Sequence, residues 1–245
     1  MTELELKPHL ICYIDILGYE EKMKELGENE FLEILTNVYQ KAIDIITVSI
    51  PELQQYEYRI FSDNLVFCTK KPENGDELTN MLFLFIFVAY VLQTTFIKHE
   101  IFIRGSITEG QFYVDTNYVY GKGLIDAYKL ENEVALYPRI VLDQKLNIHG
   151  VKQKYSSSIF HLCDDGYDMI NYLLDMRKTE IEPLRTILEP YLIHKLHKTF
   201  VEKALRKHKS NERIYQKYRW CREYHNRVCS NPELPELLEF IIDEN

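Results

Sequence analysis

The chain has 245 residues, 46% hydrophobic and 27% charged, the composition of a globular protein with enough chain for one large domain or a domain plus a helical extension. Its formal net charge of −9 argues against sequence-independent binding of duplex nucleic acid, which needs a basic face, but leaves room for an anionic small molecule in a local basic pocket. Five cysteines at 12, 68, 163, 221 and 229 form no CxxC pair, and the acidic start Met1-Thr-Glu-Leu-Glu-Leu-Lys7 is unlike a secretory leader, so the expected compartment is the reducing cytoplasm.

A strand is predicted over roughly residues 9–16, within Ile11-Cys-Tyr-Ile-Asp-Ile-Leu-Gly-Tyr19. Asp15 ends its apolar run, and an acid there is costly to bury unless something pairs with it. A metal ion would do so, and Gly18 would let the chain turn tightly and bring N–H groups to a phosphate. The alternative is a plain strand-to-helix turn with Asp15 as a local cap. Apolar residues at helical spacing predict a helix from about 19 to 47, with Pro51 ending that region. Tyr56 to Thr69 reads as two strands around a turn at Ser62-Asp63-Asn64, since Asp and Asn bond to their own backbone in turns. A very apolar helix follows from Glu77 to Lys98. Its densest run, Met81 to Leu92, is twelve residues, short of the roughly 20 a bilayer needs, so it reads as a core or interface helix and no membrane span is expected.

Ile101 to Val114 looks like two strands joined near Glu109-Gly110, Tyr120-Gly-Lys-Gly123 opens a helix to about 135, and Pro138 to Asp143 is another strand. The order β-α-β-β-α-β-β-α-β predicts an α+β sandwich with a mostly antiparallel sheet. From Gly166 to Asn245 the pattern is helical: Ile170 to Met176, Glu180 to Lys207, Asn211 to Val228, and Glu236 to Ile242. Pro183 is placed as a first-turn proline and Pro190 as a kink. The domains are accordingly 1–165 and 166–245. The basic run from Lys195 to Lys209 reads as a solvated helix face rather than a polyanion site. The histidines sit in no nucleophile or zinc motif, and His194 and His197, three apart, are expected at the surface.

Asp15 and Asp63 both follow apolar runs. If their strands are neighbours, both carboxylates reach one point, where two acids and a backbone carbonyl suit a pair of hard divalent cations. Arg104, after a third apolar strand, would offer a planar fork to phosphate oxygens.

In order and spacing, Tyr13-Ile-Asp-Ile-Leu-Gly-Tyr19, Phe61-Ser-Asp63, Ile103-Arg-Gly-Ser-Ile-Thr-Glu-Gly110 and Tyr120-Gly-Lys-Gly-Leu-Ile-Asp-Ala-Tyr-Lys-Leu-Glu131 resemble the class III nucleotidyl cyclases. The resemblance covers about residues 9–145 and not the helical tail. It implies a ferredoxin-like palm core in 1–165, a head-to-tail homodimer with interfacial sites, and conversion of a nucleoside triphosphate to a 3′,5′-cyclic monophosphate and pyrophosphate with two Mn²⁺ or Mg²⁺ ions. By the same resemblance Asp15 and Asp63 bind the metals, with the carbonyl of Ile16. Leu17, Gly18 and Tyr19 form the phosphate-cradling turn, and Arg104 binds phosphate. Arg59 and Tyr118 fall where adenylyl cyclases read the purine with Lys and Asp, and neither supports the adenine pattern.

Where the family places an Asn that orients the ribose and an Arg that stabilises the transition state, this chain has Ile125 and Lys129; Lys129 keeps the charge without the guanidinium fork. The combination looks like the pyrimidine cyclases of Pycsar anti-phage defence. That resemblance implies cyclic UMP, or else cyclic CMP, acting on a separate effector, and Arg59, which only donates, favours uracil O4. The alternatives are a catalytically inactive cyclase-homology module, which Ile125 supports, and another palm-type nucleotidyl transferase, which the absence of a GGDEF-type turn counts against.

Overall fold

A computed structural model describes residues 5–49, 56–174 and 191–243. They form two compact units, Met1–Phe96 with Ile101–Asn171, and Ile97–Glu100 with Tyr172–Asn245.

The first unit is built on strands β1 (Lys7–Ile16), β2 (Glu57–Phe61), β3 (Asn64–Lys70), β4 (Ile103–Val114), β5 (Val119–Tyr120), β6 (Ile140–Leu142), β7 (Phe160–Leu162) and β8 (Asp168–Ile170). Its helices are α1 (Tyr19–Leu26), α2 (Glu28–Ser49), α3 (Gly75–Ile97), α4 (Lys122–Glu133) and α5 (Ile148–Lys154). The eight strands make one sheet in the order β2-β3-β1-β4-β6-β8-β7, with β5 on β4. Only β4 and β6 run parallel among the paired strands. β1 is central and buried on both faces, which is why it reads as an unbroken apolar run rather than an alternating one. On one face Ile11 and Tyr13 pack with Val66, Cys68, Phe112 and Ala127 of α4. On the other, Phe67 meets Phe85 of α3 at 4.5 Å between ring centroids. The α3 helix has a window apolar enough to cross a membrane, but 83% of that window is buried, as expected for a core helix.

Three sequence expectations change in this unit. The helix predicted over 19–47 is two helices: Gly27, at φ 88°, stops α1 with its N–H on the carbonyl of Met23, and only glycine takes that conformation cheaply. The break expected near Glu109-Gly110 is absent, because β4 runs straight through. Gly110 serves a close approach instead of a turn: a Cβ there would lie 2.7 Å from the Cα of Gly123, so the two glycines let α4 lie flat on the sheet. Finally, Asp168–Ile170, expected in the helical extension, is strand β8 of the sheet.

The second unit contains α6 (Leu192–Lys207), α7 (Glu212–Cys229), capped by the Asn211 side chain on the N–H of Ile214, and a 3₁₀ turn over Pro235–Phe240. Pro51, Pro183 and Pro190 lie outside the described residues. His194 and His197, expected at the surface, are 4% and 0% exposed. His197 stacks on His225 with rings 2° apart, and their Nδ1 atoms are 3.0 Å apart. His225 Nε2 donates to the carbonyl of Phe240 (2.8 Å), and His194 Nε2 lies 2.8 Å from that of Leu173. A polar residue on a helix stripe can thus be interior when its ring nitrogens find partners, here the carbonyls of Leu173 and Phe240 and, for His197, His225 and the Tyr172 hydroxyl.

Candidate active site

The strand register places the residues. Asp15 pairs with Asn64 of β3 on one side and with Arg104 of β4 on the other, so Asn64, Asp15 and Arg104 form one rung across three strands. Directly paired residues share a sheet face, and this is the face that α4 covers. Asp63 lies in the two-residue β2–β3 turn just before Asn64, with Ser62 at φ 56°. Its carbonyl accepts the N–H of Ile16 at 3.0 Å. Its Oδ1 accepts from the Asn64 side-chain Nδ2 at 2.7 Å, and the Asn64 Oδ1 accepts the Tyr13 hydroxyl. Burial and the nearby charges of Glu131, Asp15 and Asp63 raise the Tyr13 pKa, so its hydroxyl stays a donor.

Arg104 sits between two acids. Its Nε is 2.9 Å from Asp15 Oδ2 and 2.6 Å from Oε1 of Glu131, which is 2% exposed. Glu131 was in the sequence motif without a role. Its signal was present: Leu124, Ala127 and Glu131 share the inward stripe of α4, and an acid on such a stripe needs a cation.

At the β1–α1 turn Gly18 has φ 72° and open space around its Cβ position, so backbone conformation alone calls for glycine there. The Leu17 N–H is spent on the carbonyl of Phe102 at 2.9 Å. The Tyr19 ring packs against Phe31 at 5.2 Å, which leaves its backbone at the turn.

The remaining residues form a second group. The Arg59 guanidinium donates to the carbonyl of Tyr58 (2.7 Å), to the Glu57 carboxylate (3.3 Å) and to the carbonyl of Asp115. Asp115 opens the turn that carries Tyr118, which is 66% exposed. Ile125 is 54% exposed on α4, and Lys129, one helical turn on, is also exposed. The structure therefore joins Asp15, Ile16, Asp63, Arg104 and the turn Leu17–Tyr19 in one place, and Arg59 with Tyr118 in another.

For a metal, the donor set is the test. Two carboxylates and a main-chain carbonyl are all oxygen, which suits a hard divalent cation and not zinc. No cluster of three or more His, Cys, Asp or Glu able to hold a metal occurs among the described residues, so the Ile16 carbonyl and the substrate have to complete the shell. The residues fit on those terms, with Asp15 meanwhile paired to Arg104.

No family model matches the chain, and no curated protein matches it. Solved structures do. The dimeric guanylyl cyclase domain of the RhoGC fusion protein from the aquatic fungus Blastocladiella emersonii matches at 15% identity, covering 69% of this chain and 96% of that one, with a TM-score of 0.50. A bacterial light-regulated adenylyl cyclase matches at 14% over 75% and 100% of the two chains (TM-score 0.45). The adenylyl cyclase CyaB from P. aeruginosa matches at 15% over 69% and 96% (TM-score 0.47). The chain thus has the α+β palm fold of the class III nucleotidyl cyclases.

Proposed function

We propose that the protein is a pyrimidine nucleotide cyclase that converts UTP, or less readily CTP, to the 3′,5′-cyclic monophosphate and pyrophosphate. The observation that carries this reading is the rung of Asn64, Asp15 and Arg104 beside Asp63: two acids and a guanidinium at adjacent strand ends, within a cyclase fold. Asp15, Asp63 and the Ile16 carbonyl would hold two Mn²⁺ or Mg²⁺ ions, which when bound supply charge neutralisation and a lower pKa for the ribose 3′-hydroxyl. The turn at Leu17, Gly18 and Tyr19 would offer the N–H groups of Gly18 and Tyr19 to the triphosphate at the start of α1, where the helix dipole favours anions, with Leu17 anchoring the turn on Phe102. Arg104 provides a fork for phosphate oxygens once Asp15 is otherwise neutralised. The 3′-oxygen forms its bond to the α-phosphorus as the bond to the bridging oxygen of pyrophosphate breaks, and the hydroxyl proton leaves to solvent. Positioning and charge stabilisation account for the rate.

Arg59 and Tyr118 would read the base and Lys129 would steady the transition-state charge. A head-to-tail homodimer whose sites each draw on both copies belongs to the same reading. A role in anti-phage defence, with a separate effector that the cyclic nucleotide activates, extends the same reading, as does a cytoplasmic location. Mass spectrometry of the products from all four nucleoside triphosphates with Mn²⁺ tests it. Cyclic UMP is expected, and cyclic AMP or cyclic GMP as main product would overturn the pyrimidine assignment. A second reading, an inactive nucleotide-binding module, draws on exposed Ile125, which cannot hydrogen-bond a ribose; absence of product with all four substrates would favour it.

A further inference from the structure

Both residues proposed to read the base hang on Asp115. Its N–H bonds to the Tyr118 carbonyl at 3.0 Å. Its Oδ1 accepts the N–H of Asn117 (2.7 Å) and of Tyr118 (2.6 Å), and its Oδ2 accepts the Tyr113 hydroxyl (2.8 Å). Its own carbonyl accepts from Arg59, which comes from β2, far away in sequence. One residue thus closes the β4–β5 turn with its amide and its carboxylate, and tethers the guanidinium with its carbonyl. Such Asx turns fix local backbone direction, because the short side chain substitutes for a main-chain acceptor. Remove the carboxylate and the turn keeps one backbone bond. The Asp115 carbonyl then loses its set direction, and with it Arg59 loses its anchor.

The tether leaves Arg59 able to act. A guanidinium has five N–H groups, and the bonds to Tyr58, Glu57 and Asp115 use three. Two donors remain, held in a fixed plane, which is what discrimination between a carbonyl and an amine on a pyrimidine requires. We infer, within the pyrimidine-cyclase reading, that Asp115 is a positioning residue for base selectivity: it sets Arg59 and Tyr118 in register with each other without touching the base. The conjugate-acid side is silent here, since the Tyr113 hydroxyl and the two backbone N–H groups hold the carboxyl below the usual carboxylate range.

The test is equilibrium binding of the non-cyclisable α,β-methylene analogues of UTP and CTP to the full-length protein with Mn²⁺, for wild type, D115A, D115N and Y113F. Asn keeps an acceptor for both turn amides, so D115N should retain the wild-type preference for the UTP analogue. D115A should lose about tenfold of it, the scale of one well-placed polar contact. Y113F should fall between. The inference is overturned if D115A weakens both analogues equally, which is what a merely structural role gives, if D115N loses the preference as fully as D115A, or if wild type shows no preference. Turnover of UTP is measured separately. A protein that binds selectively, loses selectivity in D115A and forms no cyclic product would keep this inference while removing the cyclase activity from the reading above.

Discussion

Arg104 Nε stands 2.6 Å from Glu131 Oε1 and 2.9 Å from Asp15 Oδ2, so a single guanidinium joins the buried acid of α4 to the acid that ends β1. The pair with Glu131 is the more desolvated, and breaking a buried pair costs about 3 kcal/mol as an upper bound here, since Arg104 keeps Asp15. E131A should therefore lower unfolding free energy in urea by up to that amount, whereas E131Q, which keeps an acceptor, should lose less. Equal, negligible losses for both would show that Glu131 does not anchor Arg104.

Asp15 and Asp63 differ in what else they hold. Asp63 serves the fold through its backbone carbonyl on Ile16, which D63A keeps, and in D15A Arg104 retains Glu131. Both variants should fold. Both should lose cyclisation by about 100-fold or more, since an under-liganded cation binds and orients poorly, and chelation by EDTA should do the same to wild type. Near wild-type turnover of either variant with intact far-UV circular dichroism would remove the two-metal assignment.

The acid dependence of the helical unit has a defined sign. Burial pushes His225 from 6.5 down to about 4, and burial with the neighbouring histidines pushes His197 well below its usual value. A depressed folded pKa means that the unfolded chain binds more protons between the two values. The stability of this unit is then full above about 6.5 and is lost as pH falls towards about 4, at about 1.4 kcal/mol per unit per group. The lowered carboxyls of Asp115, Asp143 and Asp165 act only below this window. Helix melting followed from pH 7 to 4 should show a falling midpoint, flattened in His225→Gln. A flat profile in wild type would contradict it.

The ends of the strands were legible because an apolar run that meets an acid is a local signal. Asp15, Asp63 and the turn at Gly18 all lie where such signals put them. What was not legible depended on register. The rung of Asn64, Asp15 and Arg104 joins residues from three strands, and nothing near Arg104 in sequence announces that its partners are the carboxylates of Asp15 and Glu131. Glycine has two uses, and Gly110 was read as a turn when it serves contact with Gly123. The buried histidines escape a sequence reading for a similar reason: His194 meets the carbonyl of Leu173, which any residue supplies, and His197 meets His225 and the Tyr172 hydroxyl, both distant in sequence.

If the two residue groups complete each other across a homodimer, dilution carries a signature. Tyr118, Ile125 and Lys129 are all exposed, as residues completing a partner's site would have to be. Specific activity should fall on dilution through the dimer dissociation constant, more steeply than protein concentration alone. Mixing D15A with K129A protein, each expected to turn over poorly alone, should restore activity to one composite site per heterodimer. A monomer by light scattering that stays fully active would end the interfacial assignment.

The base preference follows from donors and acceptors. Arg59 offers only N–H groups, uracil presents O4 as an acceptor, and cytosine presents an amine there, so the cytosine pairing sets donor against donor. Sites built on such pairing discriminate by about 10⁴ in favourable cases, because the wrong base leaves buried polar groups unpaired. Here Arg59 is held by Tyr58, Glu57 and Asp115 but keeps 30% of its side chain exposed, so a discrimination well under that ceiling is expected. R59A should erode the ratio of kcat/KM for UTP over CTP, mostly through KM, while Mn²⁺ affinity, which is assigned by proposal to Asp15 and Asp63, should stay as in wild type. A lowered Mn²⁺ affinity with an unchanged base ratio would place Arg59 with the metal-binding acids rather than with the base. A wild-type preference for CTP would leave the cyclase reading in place and refute the role given to Arg59, since the same donors would then have to be shielded from the cytosine amine by Tyr118, whose hydroxyl can accept where a guanidinium cannot.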